Sequence, residues 1–181
     1  GTVAPIWQGQ PGEVLGAFDI SPDGQWLVAT LKRPGQGWNL ERLNIGTLPA
    51  SGWQALTDTR ATENSPEWAE DGSILFSADY DGVFNIYRLL PDAESKTVQQ
   101  LTHVPGGAFT PRWQNGQLLY QHYGREGYEV YRVQNPTVLA DVELTALTGR
   151  YDYPPAVMAP VASTVTEYRA GPTLQPTWWW P

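Results

Sequence analysis

Cysteine is absent from the 181 residues, which excludes disulfides, thiol catalysis and Cys-ligated zinc. Histidine occurs only as His103 and His122, and no His-x-x-x-His or carboxylate-flanked pair offers a catalytic zinc site. No run approaches the ~20 apolar residues of a membrane-spanning helix. The longest bulky stretches are of the size of Trp26-Leu27-Val28-Ala29 and Trp178-Trp179-Trp180. Basic residues are few, 11 Lys and Arg against 19 Asp and Glu, for a formal charge of −8. Nucleic-acid binding is built on clustered positive charge, so no nucleic-acid partner is expected. Helical 3.6-residue periodicity is missing as well. The chain opens at Gly1 without a Met or a leader, from which we expect a piece of a longer protein with targeting information removed.

What is present points to β structure. Glycine (18) and proline (16) are abundant, but so are aromatics, with 9 Trp and 9 Tyr. Turn-forming pairs alternate with short apolar runs, the composition of a folded, turn-rich β domain.

Three copies of one pattern align. The strings GWNLERL (37–43), VFNIYRL (83–89) and GYEVYRV (127–133) place Arg42, Arg88 and Arg132 at intervals of 46 and 44 residues. Upstream of each lies an apolar strand entered through Asp23-Gly24, Asp71-Gly72 or Asn115-Gly116, the strongest short hairpin signals because the turn needs positive φ. A further short strand precedes each turn: GAFDI, NSPEW and AFTPRW. Downstream come Leu56-Thr57, Leu101-Thr102 and Leu147-Thr148. The unit is therefore a four-stranded antiparallel meander of about 45 residues, the size of a β-propeller blade. A β-sandwich with coincidental spacing is the competing reading. The expected division is an extended segment at 1–15, blades at about 16–57, 62–102 and 106–148, and a Pro/Trp-rich tail at 149–181.

The second repeat, ENSPEWAEDGSILFSADYDGVFNIYRL followed by QQLT, resembles the TolB-type, WD40-like (PD40) propeller repeats of bacterial envelope proteins. Pro66, Trp68, Asp71, Gly72, Ser77, Asp79, Asp81, Gly82, Ile86, Tyr87, Leu101 and Thr102 carry the match. The first repeat loses the acidic loop, with Lys32-Arg33-Pro34-Gly35, and the third has Gly124-Arg125-Glu126-Gly127 there. The tail, from Tyr168 through Pro172, Leu174 and Pro176 to Pro181, resembles the segment joining a TolB-like propeller to an outer-membrane surface-antigen barrel. The resemblance implies an all-β, incomplete propeller in the periplasm or on the periplasmic face of the outer membrane. It also implies a non-catalytic interaction module, with a barrel as covalent neighbour in the full protein. The prolyl-oligopeptidase family carries similar propellers, so a regulatory propeller of such a serine peptidase is the alternative. In that family catalysis belongs to an α/β-hydrolase domain, and this chain has neither a Gly-x-Ser-x-Gly elbow nor a βαβ pattern.

Propellers close with about four to eight blades, so three blades leave open faces and self-association through them is expected. Alternatively the first 15 residues and the tail cover the open edges. Asp79 and Asp81 are read as turn caps rather than a calcium loop, and the three Arg as structural. No catalytic group, cofactor or metal is assigned. Loops joining second to third strands share a rim with the connections between blades. Tyr80, Asp81, Tyr123, Arg125 and Glu126 are thus expected beside Thr62, Glu63, His103 and Gly106, with two exposed tyrosines in a protein-binding patch. Trp178, Trp179 and Trp180 are expected to pack on a blade edge or a neighbour.

Overall fold

Turn chemistry starts each repeat. Gly24, Gly72 and Gly116 have φ of 71°, 81° and 73°, the left-handed values such turns require. Asp23 accepts the Gln25 amide, and Asp71 accepts both the amide and the hydroxyl of Ser73. The structure, a computed structural model, describes residues 3–47, 52–93 and 96–147, which fall in the unit Gly1–Tyr151. Trp178, Trp179, Trp180 and the rest of the tail lie outside the described residues.

The first sheet runs β1 (Val14–Ile20), β2 (Trp26–Lys32), β3 (Trp38–Asn44) and β4 (Trp53–Ala55), each antiparallel to the next. The second begins with β5 (Glu63–Trp68), β6 (Ile74–Ala78), β7 (Asn85–Leu89) and β8 (Thr97–Gln100). The third contains β9 (Ala108–Gln114), β10 (Gln117–Gly124) and β11 (Gly127–Gln134). All-β propeller blades are therefore what the sequence builds. Prolines in the innermost strands are tolerated for a local reason. Pro66 and Pro111 each follow a residue at positive φ, Ser65 (50°) and Thr110 (45°), at breaks in register where the ladder skips a pair.

The blades stack face to face. Val28 and Leu40 of the first blade meet Ile74, Phe76 and Tyr87 of the second, all at most 1 % exposed. On its other face the second blade lays Leu75 and Ile86 against Ala108, Leu118 and Tyr120 of the third. Burying such a side chain fully contributes about 1.5–3 kcal/mol, so these two seams hold the stack. The outer face of the first blade is partly covered from the N-terminal segment. Trp7 packs on Leu27, Ala29 and Leu31 and meets Trp53 edge-on at 5.7 Å.

The last strand departs from expectation. β12 (Ala140–Glu143) does not complete the third blade but adds to β8 as a fifth strand of the second, with Val142 opposite Val98. Strands of Trp53–Ala55 and Thr97–Gln100 lead directly into Leu56-Thr57 and Leu101-Thr102, and β12 leads directly into Leu144-Thr145. Thr148 of the expected closing pair Leu147-Thr148 lies outside the described residues. Leu144 is buried at the seam of the first two blades and opens a 3-10 turn, Leu144–Leu147.

Candidate interaction surface

The repeated Leu-Thr pair is a clamp between a blade's third and fourth strands. The Thr57 hydroxyl accepts the Leu40 amide at 2.8 Å, and the Thr102 hydroxyl accepts the Ile86 amide at 2.8 Å. An Asn in the third strand of the first two blades secures the chain two residues further on. Asn39 accepts the Thr59 amide and Asn85 the Val104 amide, at 2.8 and 2.9 Å. Both Asn are buried, at 4 % and 0 % exposure, so these bonds satisfy groups that water cannot reach. The third repeat has Glu129 at this place. The repeated Arg joins the same system. Arg42 bonds Gln54, reaches Asp92 of the second blade at 2.8 Å and lies 4.4 Å over the Trp26 ring; Arg88 bonds Gln99.

Sequence reasoning missed a buried carboxylate at the centre of the blade junction. Glu63, expected on the rim, is 1 % exposed. Its two oxygens accept from the hydroxyls of Thr57, Thr59 and Tyr80 and from the Leu40 amide. Loss of hydration outweighs these donors and pushes its carboxyl up to about 6. Tyr80 is accordingly no rim tyrosine. Its hydroxyl is spent on Glu63 at 2.8 Å, and its ring stands edge-on to Tyr87 at 4.7 Å. Burial and the neighbouring Glu63 charge raise its phenol well above the usual range. A buried acid surrounded by Thr-x-Thr and Tyr is visible in the sequence only once the fold brings residues 57–80 together.

The other rim residues are exposed, and several are adjacent. Asp81 caps its own turn through the Val83 amide, and its other oxygen stands 3.7 Å from His103 Nδ1 across the loops. Asp79 points elsewhere and accepts the Thr62 amide at 2.7 Å, tying the β6–β7 loop to the connection between blades. The segment after His103 runs beneath the β10–β11 hairpin. Gly107 accepts the Tyr123 amide at 2.9 Å, and Gly106 lies so close to the Tyr123 carbonyl that no side chain fits. At the hairpin tip Tyr123 and Tyr128 pack ring on ring at 4.9 Å, flanked by exposed Arg125 and Glu126. Asp81, His103, Tyr123, Arg125 and Glu126 thus share one end of the blades, and Tyr128 replaces Tyr80 as the second exposed tyrosine.

Chemically this surface offers aromatic faces and isolated charges of both signs. Among the described residues no group of three His, Asp or Glu side chains is placed to hold a metal ion. His122 contacts the Gly107 carbonyl, and His103 stands beside Asp81. No described helix is long and apolar enough to cross a membrane.

The outward face of the third blade continues the patch. Val130 occupies the place of Leu40 and Ile86, which are fully buried under the next blade, yet it is 74 % exposed. The opposite end of the stack shows the counterpart. Ile20, placed like Trp68 before its turn, is 49 % exposed, whereas Trp68 is 9 % exposed under the preceding blade.

No family model matches the chain. Dipeptidyl-peptidase 5 of Porphyromonas endodontalis is 32 % identical over 96 residues, covering 51 % of this chain and 14 % of that protein. This chain thus spans about one seventh of that relative's length. A solved structure described as TolB, from Agrobacterium tumefaciens, superposes with a TM-score of 0.59 and 18 % identity over 76 % of this chain and 52 % of its own. A puromycin-hydrolyzing peptidase of Mycobacterium tuberculosis gives a TM-score of 0.43, with 14 % identity over 72 % of this chain and 29 % of its own, too low to carry an argument. Stacked antiparallel blades, the repeat landmarks and the superposition together identify the fold of this chain as TolB-like β-propeller blades.

Proposed function

We propose that this chain is a non-catalytic segment of a TolB-like propeller that binds a protein partner in the bacterial cell envelope. The observation that carries the reading is the exposed hairpin end of the third blade. Tyr123 and Tyr128 are 47 % and 71 % exposed and are bordered by Arg125, Glu126 and the Asp81–His103 pair. Paired, solvent-facing tyrosines with charges around them are the composition of protein-binding surfaces. A periplasmic location, at the inner face of the outer membrane, agrees with the fold likeness. Self-association through the open faces at Ile20 and Val130 belongs to the same reading, because each presents positions that elsewhere in this chain are covered by a blade.

Site-specific photocrosslinking in the native host tests the partner. Probes at Tyr123, Glu126 and Asp81 are expected to capture one protein, while probes at Gln25 and Glu70, beside the turns at the other end of the blades, capture none. Equal capture at both ends, or none at the rim, removes the proposal. Light scattering across a concentration series tests self-association, and a mass near 20 kDa throughout refutes that part of the reading.

A second reading rests on the 32 % identity to a dipeptidyl-peptidase. Here the chain is the substrate-gating propeller of a serine peptidase. A full-length gene encoding an α/β-hydrolase domain with a Gly-x-Ser-x-Gly elbow selects this reading, and an outer-membrane barrel selects the first.

A further inference from the structure

In the first two blades two side-chain bonds lock the fourth strand to the third. The third-strand Arg meets a Gln directly across the ladder, Arg42 with Gln54 at 3.1 Å and Arg88 with Gln99 at 3.0 and 2.6 Å. Three residues after that Gln, a Thr hydroxyl takes the amide of the residue two before the Arg, Thr57 from Leu40 and Thr102 from Ile86. The incoming strand therefore reads Gln-x-Leu-Thr in both blades.

The third blade retains its half of this lock and, among the described residues, lacks the other half. Arg132 stands at the Arg position and makes no hydrogen bond or ion pair among the described residues. Val130 pairs with Gln121 as Ile86 pairs with Ser77 and Leu40 with Thr30, so by the same register its amide faces the open edge. The chain's own closing strand cannot answer. Three residues before Thr145 stands Val142, which has no acceptor for Arg132, and β12 pairs with β8 instead. The edge left open, Gly127–Gln134, is eight residues long, largely exposed, and carries neither the Pro nor the Lys that commonly blunt such edges.

We propose that the outer edge of β11 is a docking site for an extended Gln-x-Leu-Thr segment supplied by another polypeptide. The segment adds as the antiparallel fourth strand, its Gln on Arg132 and its Thr hydroxyl on the Val130 amide. Main-chain bonds along the edge give affinity, and the two side-chain locks give register and selectivity. The site stands independently of the rim surface, since it uses the edge of the strand rather than the hairpin tip.

The probe is the peptide KTVQQLTHV, which is this chain's own Lys96–Val104, titrated into the full chain and followed by backbone amide NMR. Saturable binding is expected with shifts centred on residues 127–134. Arg132→Ala is expected to weaken it about tenfold, because a bond to a charged group is lost. A peptide with Val at both lock positions is expected to weaken it similarly. Circular dichroism confirms that Arg132→Ala, at an exposed position, leaves the fold intact. No saturation by about 1 mM peptide overturns the proposal. So does equal binding by Arg132→Ala, or shifts centred on β8 and β12, which report displacement of β12. Amide contacts between β11 and β12 in the free chain also overturn it, because the site is then filled from within.

Discussion

Glu63 makes stability depend on pH in an unusual direction. Its carboxyl is pushed up from 4.5 to about 6 by burial, with four donors at its two oxygens and no cation among its contacts. Between those values the unfolded chain has released the proton while the folded chain still holds it. The unfolded state then binds fewer protons, so stability falls as pH rises from 4.5 to 6 and levels off above. At 1.36 kcal/mol per pKa unit, the whole loss, from well below pH 4.5 to well above pH 6, is about 2 kcal/mol. Glu63→Gln isolates this contribution. The Gln oxygen can keep the Leu40 amide, whereas its NH2 faces the Thr59 and Tyr80 hydroxyls, which can turn to accept. The variant keeps the packing and removes the titration. Urea unfolding of both proteins at pH 4.5, 5.2, 6 and 7, at equal m-value, is the assay. The wild type is expected to lose about 1.3 kcal/mol relative to Glu63→Gln between pH 4.5 and 6, and about 1.6 kcal/mol by pH 7. A constant difference, or wild type gaining stability as pH rises, refutes the account of a carboxylate whose desolvation outweighs its hydrogen bonds.

Four further outcomes follow from the same geometry. Asn85→Ala strips acceptors from the Thr102 hydroxyl and the Val104 amide in a fully buried position, and should cost about 2–4 kcal/mol in denaturant unfolding. Ile86→Asp buries an unpaired charge and should prevent folding. Val130→Asp, at the equivalent place on the open blade, should change the stability of the monomer by no more than about 0.5 kcal/mol and weaken self-association, and a large loss in the monomer would mean that face is covered from within the chain. Gly106→Ala drives a methyl to within 1.8 Å of the Tyr123 carbonyl, so it should lower the melting temperature and perturb the amide signals of residues 103–107 and 122–128.

The sequence by itself determined the blade. Asp-Gly and Asn-Gly pairs can turn only one way, alternation sets which side chains face a neighbour, and a recurring Leu-Thr closes a unit about every 45 residues. These are local properties, so they are legible without a fold. The nearness of Asp81 to His103 was legible for the same reason, because strand order dictates which loops share an end. What depends on side chains distant in sequence was decided by tertiary structure. Tyr80 reads as an exposed loop residue until Glu63 is brought beneath it, and Glu63 reads as a loop acid until Thr57, Thr59 and Leu40 surround it. The place of β12 was decided in the same way. The Leu-Thr spacing points to Leu147-Thr148, and nothing local marks Ala140–Glu143 as a strand of the second blade. Its place rests on long-range pairing, with Val142 set opposite Val98 along the edge of β8.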